Sequence, residues 1–295
     1  MKVVITRLEG EINYSNRNYK SYYIISKDYI PATTIRGAIE YLYLTRFEKI
    51  DDRIYTSSAF PIIENRPTAP THPFMYRVER KSKDMVEDPM AIVNKAKPNL
   101  EKAKEPKPSP GSLVVESKEE YYYTRQTIKK KVEMHVAVSK ITGSSQKGML
   151  YAYEYVTGVQ GYWFLTGDNT ELKEGDEIRV GRGRTREGSK LVVEKVYKAN
   201  LEETKEGVGI CLSQCAPKVL GIEALEVKDI WGYYDIYNSW FTSDDIAGAR
   251  PSFRVLGEGS VIEVIKVKED FRTAGLNFII SVPDLHTLLK EVKVK

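Results

Sequence analysis

The sequence predicts an α+β protein in which short antiparallel strands far outnumber helices, and three observations predict it. Apolar and polar residues alternate over many short stretches, the period of a strand with one buried face. The stretches are joined by short turns, so neighbouring strands can pair antiparallel. Helical spacing occurs clearly in two places, once early and once close to the C-terminus.

Composition bounds the rest. A chain of 295 residues is long enough for two modest domains or one elaborated one. Hydrophobic content of 41% is somewhat low and charged content of 29% somewhat high for a globular protein. No apolar run approaches the ~18–20 residues that would span a bilayer. MKVVITRLEGEI reaches Glu9 too early for a signal peptide, so a cytoplasmic protein with no membrane partner is expected. Cys211 and Cys215 do not make a disulfide framework. Three histidines, at 72, 135 and 286, offer little material for a zinc site, and neither a metal nor a cofactor is expected. The net charge of +4 is small, so any site for a polyanion must come from clustering.

Lys2 to Ile12 alternates as a first strand, and Tyr22–Ile25 is a second β-prone run. The early helix is DYIPATTIRGAIEYLYLTRF. Pro31 ends the preceding segment and Thr33 or Thr34 is the expected N-cap. Ile35, Ala38, Ile39 and Leu42 then recur on one face, with Arg36 and Glu40 off it. Gly37 costs the helix about 1 kcal/mol relative to alanine, which points to a close neighbour, either a ligand or a packed element. Arg36 opposes the helix dipole unless an anion sits there too.

From about residue 67 to residue 131 the periodicity fails. Eight of the thirteen prolines fall between Pro67 and Pro110, and KAKPNLEKAKEPKPSPG leans basic. Such segments pack poorly, so a flexible basic insertion is expected at about 67–131. Strands are expected again at Leu150–Val156, Val159–Leu165, Asp176–Val180 and Leu191–Tyr197.

Between the last two lies RVGRGRTREGSK, where Arg182, Arg184 and Arg186 alternate with glycine and threonine. Gly181 and Gly183 let a ligand approach the main chain, and guanidinium forks match phosphate oxygens. The same composition also suits a solvated basic turn. It is not a P-loop, because no Gly-Lys-Ser/Thr opens a helix. After Val208 a second unit begins, with strands in GICLSQCAPKVL, GEGSVIEVIKVK and LNFIISV and an aromatic stretch at Tyr233–Phe241. A short helix capped by Asp284 follows. The expected division is 1–207 and 208–295.

Three separated features together resemble a known superfamily. IPATTIRGAIEYL is similar to the Ile-Pro-Gly-Ser-Ser-Leu-Arg-Gly signature of RAMP proteins, the RNA-binding subunits of CRISPR effector complexes. HVAVSKITGSSQKGMLYAYEYV resembles their His/Asp–x–Thr-Gly segment, which leads into a strand and an acidic residue, here Glu154. VGRGRTREGSK resembles their glycine-rich loop, and Gly259-Ser260-Val261 the Gly-Ser-Val of two-domain members. The likeness spans roughly 1–60 and 130–270. It departs at Ala32, where the family has glycine, and at Ser139-Lys140, where Asp-Arg is common. Asp28, crowded against Ile30-Pro31, does not match the target-cutting aspartate of the repeating backbone subunits.

The resemblance implies a ferredoxin-like (RRM-like) β-α-β-β-α-β core with a glycine-rich loop and a degenerate second copy. Within the superfamily it is most like the large subunit of type III-D effectors. That implies a non-catalytic guide-RNA (crRNA) subunit of an antiviral defence complex, holding the 5′ handle. Its partners would be a large polymerase-like subunit and repeating backbone subunits.

On this reading Gly181, Arg182, Gly183, Arg184, Arg186 and Lys190 hold phosphates. Thr33, Thr34, Arg36 and Gly37 line the helix-start side, with His135 and Lys140 nearby. The alternative is a metal-independent endoribonuclease that processes CRISPR repeat RNA, with His135 and Lys129–Lys131 or Tyr121–Tyr123 as acid and base. A third reading is a purely structural assembly protein.

Overall fold

A computed structural model describes residues 1–19, 23–48, 53–77, 85–87, 111–117, 120–124, 127–181, 189–237, 240–242, 247–249 and 251–294. The first strand, Lys2–Gly10, buries the β-branched run Val3, Val4 and Ile5. It pairs antiparallel with Ser189–Lys198 on one side and Gly161–Thr166 on the other. Phe60–Ile63 pairs antiparallel with the far side of Gly161–Thr166. Numbered by position in the chain, these four strands lie in the order fourth, first, third, second.

The main helix, Ala32–Phe47, lies between the first and second of them in sequence. It buries Ile35, Ala38, Ile39 and Tyr43, close to the expected apolar face. Its start lies before the expected caps at Thr33 and Thr34. Pro31 holds φ at −58°, and its carbonyl accepts from the Thr34 and Ile35 amides at 2.9 and 3.1 Å. The Ala32 N–H donates to Ser58 Oγ at 3.1 Å. The cap is therefore tertiary, supplied by another segment. At the other end Arg46 pairs with Asp176, and the Tyr43 hydroxyl accepts from the Glu171 N–H.

A second set of strands repeats the order. Gly207–Cys211, Leu225–Trp231, Val261–Val267 and Ile279–Ser281 again lie fourth, first, third, second. No helix joins its first two strands among the described residues. A short helix, Leu285–Glu291, follows the last strand, and Asp284 caps it by accepting from the Thr287 N–H at 2.7 Å, as expected.

One hydrophobic core draws on both sets. Val4, Ile35, Phe60, Trp163 and Leu191 cluster with Ile210, Val261, Phe278 and Leu288. Fully burying a side chain such as Phe60 or Ile35 contributes about 1.5–3 kcal/mol. The residue ranges 1–207 and 208–295 thus close over a shared interior.

The stretch from about 67 to 131 contributes more to this interior than a flexible insertion would. Arg66–Pro70 pairs with Phe60–Ile63 through a turn in which Glu64 and Asn65 both have positive φ, 50° and 58°. Leu113–Ser117 and Glu120–Tyr123 extend the same sheet. Ala69, Met75, Leu113, Val114, Tyr121 and Tyr123 are buried. Residues 78–84 and 88–110 of that stretch lie outside the described residues.

A separate four-stranded sheet carries the long hairpin Lys129–Val138 and Ser145–Thr157. Its inner strand pairs parallel with Tyr23–Ser26, which pairs in turn with Ser15–Tyr19. Among the described residues no helix is long and apolar enough to cross a membrane.

Candidate nucleic-acid interface

The glycine-arginine stretch sits at the end of a hairpin. Glu177–Arg179 pairs with Ser189–Lys198, Arg179 facing Lys190, and the Val180 N–H donates to the Ser189 carbonyl at 3.3 Å. Arg182, Gly183, Arg184 and Arg186 lie outside the described residues. The base of the loop is tightly set. Gly181 has φ +84°, and a Cβ there would stand 2.4 Å from the Asn13 carbonyl oxygen, so only glycine fits. Ser189 Oγ donates to the Glu11 carbonyl at 2.6 Å.

Asn13 links this base to the acidic residue expected from sequence. Its amide donates to the Glu154 carbonyl at 2.6 Å. The Glu154 carboxylate accepts from the Ser26 N–H at 3.2 Å and lies 3.0 Å from Lys130 Nζ. Lys130 also reaches Asp28 at 3.1 Å and the Ser26 carbonyl at 2.8 Å. Burial pulls the Lys130 pKa down, but Asp28 and Glu154 outweigh it, and the net shift is upward. Asp28, the nearest aspartate to the helix signature, is thus part of an ion-paired cluster.

From Ser26 the chain runs directly to Ile30-Pro31 and the helix. On its other side, Lys27 Nζ lies 3.1 Å from both Asp235 Oδ2 and the Tyr29 hydroxyl. Tyr29 donates to Glu258 Oε2 at 2.5 Å, and Ser58 Oγ donates to Glu258 Oε1 at 2.9 Å. Glu258 is fully buried. Burial, then the neighbouring Glu258 charge, pushes the Tyr29 pKa well up. Gly259-Ser260-Val261 follows immediately. Gly275, which ends the short turn Arg272–Ala274, has φ +77°, and a Cβ there would lie 2.8 Å from the Thr33 amide nitrogen.

The segment 26–31 therefore joins the loop base, Glu154, the helix start and Glu258. Sequence periodicity carries no sign of Ser58, Lys27 or Tyr29 as its anchors. The one sequence signal for Glu258 is its position just before Gly-Ser-Val.

The remaining expected site residues are placed unevenly. Thr33 and Thr34 lie half-buried in the first helical turn. Arg36 is held internally, by Glu40 at 2.5 Å and by donating to the Ile54 carbonyl at 3.1 Å. Gly37 is exposed, and a Cβ there would meet nothing within 4 Å. Among the described residues no packed element requires that glycine. Lys190 lies 2.7 Å from Glu177 and 3.2 Å from Glu9.

His135 lies farther along the long hairpin. Its ring stacks on Tyr151 at 5.4 Å and tilts against Tyr153 at 5.2 Å, with the Glu133 carboxylate 3.8 Å away. Lys131 pairs with Glu133 and Glu11. Lys140 is exposed in the turn at the hairpin tip. The contacts of His135 and Lys140 do not reach the loop base or the helix start. Among the described residues no group of three or more His, Cys, Asp or Glu could hold a metal ion.

No family model matches the chain, and no curated protein matches it in sequence. Solved structures do. A chain of the type III-B Cmr-beta bound to cognate target RNA and AMPPnP matches with a TM-score of 0.54 at 15% identity, over 89% of this chain and 86% of that one. A chain of the type III-B Cmr-beta bound to cognate target RNA matches with a TM-score of 0.55 at 13% identity, over the same shares of 89% and 86%. The chain shares the fold of these type III-B subunits. The likeness runs through both strand sets, since it covers nearly the whole chain. A chain of the Csm3-Csm4 subcomplex in the type III-A CRISPR-Cas interference complex is more distant, with a TM-score of 0.48 at 14% identity, covering 96% of this chain and 99% of that one.

Proposed function

We propose that this chain is a non-catalytic guide-RNA-binding subunit of a type III CRISPR effector complex. On this reading it holds the 5′ handle of the crRNA and contacts a large polymerase-like subunit and the repeating backbone subunits, in the cytoplasm. The observation that carries the reading is the convergence of separated motifs. Gly181 roots the basic loop on Asn13, Asn13 holds Glu154, Glu154 holds Ser26, and Ser26 leads into the helix start.

Two further observations support it. The strand order fourth, first, third, second, found twice, is that of a β-α-β-β-α-β ferredoxin-like unit and its degenerate copy. Gly37 leaves open surface at the helix start, where a ligand backbone can approach. Affinity would come from phosphate contacts and fall with salt.

The test is RNA binding measured against salt. Replacing Arg182, Arg184 and Arg186 together by alanine should weaken binding across RNA sequences. It should also lower the slope of log K against log salt by roughly 0.7 for each phosphate that is no longer neutralised. A folded triple variant that binds normally with the full slope refutes the role of the loop. One grouping favours a second reading, a metal-independent endoribonuclease: His135 lies beside the hydroxyl-bearing rings of Tyr151 and Tyr153. Cleavage of repeat RNA with metal chelated, abolished in His135→Ala, would establish it instead.

A further inference from the structure

The strands Tyr234–Tyr237 and Phe253–Leu256 form a two-stranded ribbon, with Ile236 opposite Arg254 and Tyr237 opposite Phe253. One side of this ribbon is fastened down. Tyr237 is buried, with its ring stacked on Phe253 at 4.7 Å. Asp235 Oδ2 accepts from Lys27 at 3.1 Å and from Gln214 at 3.0 Å. The neighbouring Tyr233 hydroxyl donates to the Glu258 carbonyl at 3.3 Å.

The other side is open and unusual in content. Tyr234 is 58% exposed and Ile236 is 55% exposed. The Arg254 guanidinium lies over the Tyr234 ring, 3.4 Å from its centroid. Among the described residues no carboxylate pairs with Arg254. A largely exposed phenol ring thus carries a cation over one face, and among the described residues no carboxylate neutralises that cation.

We infer that Tyr234 and Arg254 form a nucleotide-stacking platform for single-stranded RNA. Single strands are recognised by splayed bases stacking on aromatic rings, while cations meet the adjoining phosphates. The exposed ring of Tyr234 suits the base and the guanidinium suits the phosphate, which its planar fork matches. Location supports the same use. Asp235, between Tyr234 and Ile236, is ion-paired to Lys27, and Lys27 lies between Ser26 and Asp28 in the segment that joins the motif regions. Rigid anchoring matters here, because a preordered ring loses little freedom when a base stacks on it.

The inference rests on the RNA-binding reading, and one experiment separates the two. Binding of fluorescein-labelled poly(U) and poly(A) single strands is measured by anisotropy for the full chain and for Tyr234→Ala, Tyr234→Phe and Arg254→Ala. Tyr234→Ala should weaken binding about tenfold, as expected for removal of one base–aromatic stack, with an unchanged salt slope. Tyr234→Phe keeps the ring and should bind like wild type. Arg254→Ala should lower the salt slope by roughly 0.7. If the wild-type chain binds neither strand, the RNA-binding reading falls and this platform with it. If wild type binds and Tyr234→Ala binds equally well, the platform alone is refuted.

Discussion

Replacing Glu258 offers the sharpest test of how the motif regions are held together. Its carboxylate is fully buried and accepts the Tyr29 and Ser58 hydroxyls at 2.5 and 2.9 Å, with Lys27 Nζ 4.0 Å away. Glu258→Ala leaves two buried hydroxyls without their acceptor, at about 1–3 kcal/mol each. It also removes the cost of burying a charge, which offsets part of that loss. Lys27 still has Asp235, so no buried charge is left unpaired, and the net expected destabilisation is about 2–4 kcal/mol.

Glu258→Gln keeps the shape and one carbonyl oxygen, and Lys27 keeps Asp235. That variant should lose only about 1–2 kcal/mol. Urea unfolding followed by the fluorescence of the three tryptophans measures both. The reasoning is refuted if the alanine variant unfolds at the wild-type midpoint, or if glutamine proves as costly as alanine.

Two other perturbations follow from the geometry. Arg36 lies off the apolar face, so Arg36→Glu is expected to leave the protein folded, but at a cost in stability: the change sets like charges at 36 and 40 and strands the Ile54 carbonyl. A loss of about 1–2 kcal/mol is expected in thermal melts, and an unchanged melt would count against it. Asp235 is pushed up by burial, but Lys27 and hydrogen bonds from Ile236 and Gln214 bring its net pKa below the ordinary value. The unfolded chain therefore takes up this proton first as pH falls. The contribution of Asp235 is present above the usual aspartate range, near 3.9, and is lost as pH drops through the lowered folded value. Asp235→Asn should flatten the stability profile below about pH 4, and an acid limb as steep as wild type would sink the assignment.

How much of this was legible in the sequence depends on where each partner lies. The main helix was legible because Ile35, Ala38 and Ile39 recur at its period. Its start was misplaced because the Ala32 N–H is met by Ser58, which no local pattern reveals. The hairpin at Glu64-Asn65 was hidden for a different reason. Turns with two positive φ values are usually signalled by Asn-Gly or Asp-Gly, and here glutamate takes the first position. Prolines at 67 and 70 then masked a strand that pairs on both sides. Arg182, Arg184 and Arg186 were conspicuous in the sequence and lie outside the described residues. Glu258 is the reverse case: it is decisive in the structure and unmarked by any periodicity.

The cap on the main helix has a consequence for the life of the chain during synthesis. Ser58 and Glu258 are separated by 200 residues, and Tyr29 and Glu258 by 229. Domains fold from the N-terminus as the ribosome delivers them, so the helix emerges long before the carboxylate that orders its surroundings. Contacts of such long range form late. A polypeptide that stops short of residue 258 would present an unfinished helix entrance, with Tyr29 and Ser58 still hydrated. Only a chain translated through its second unit completes that entrance.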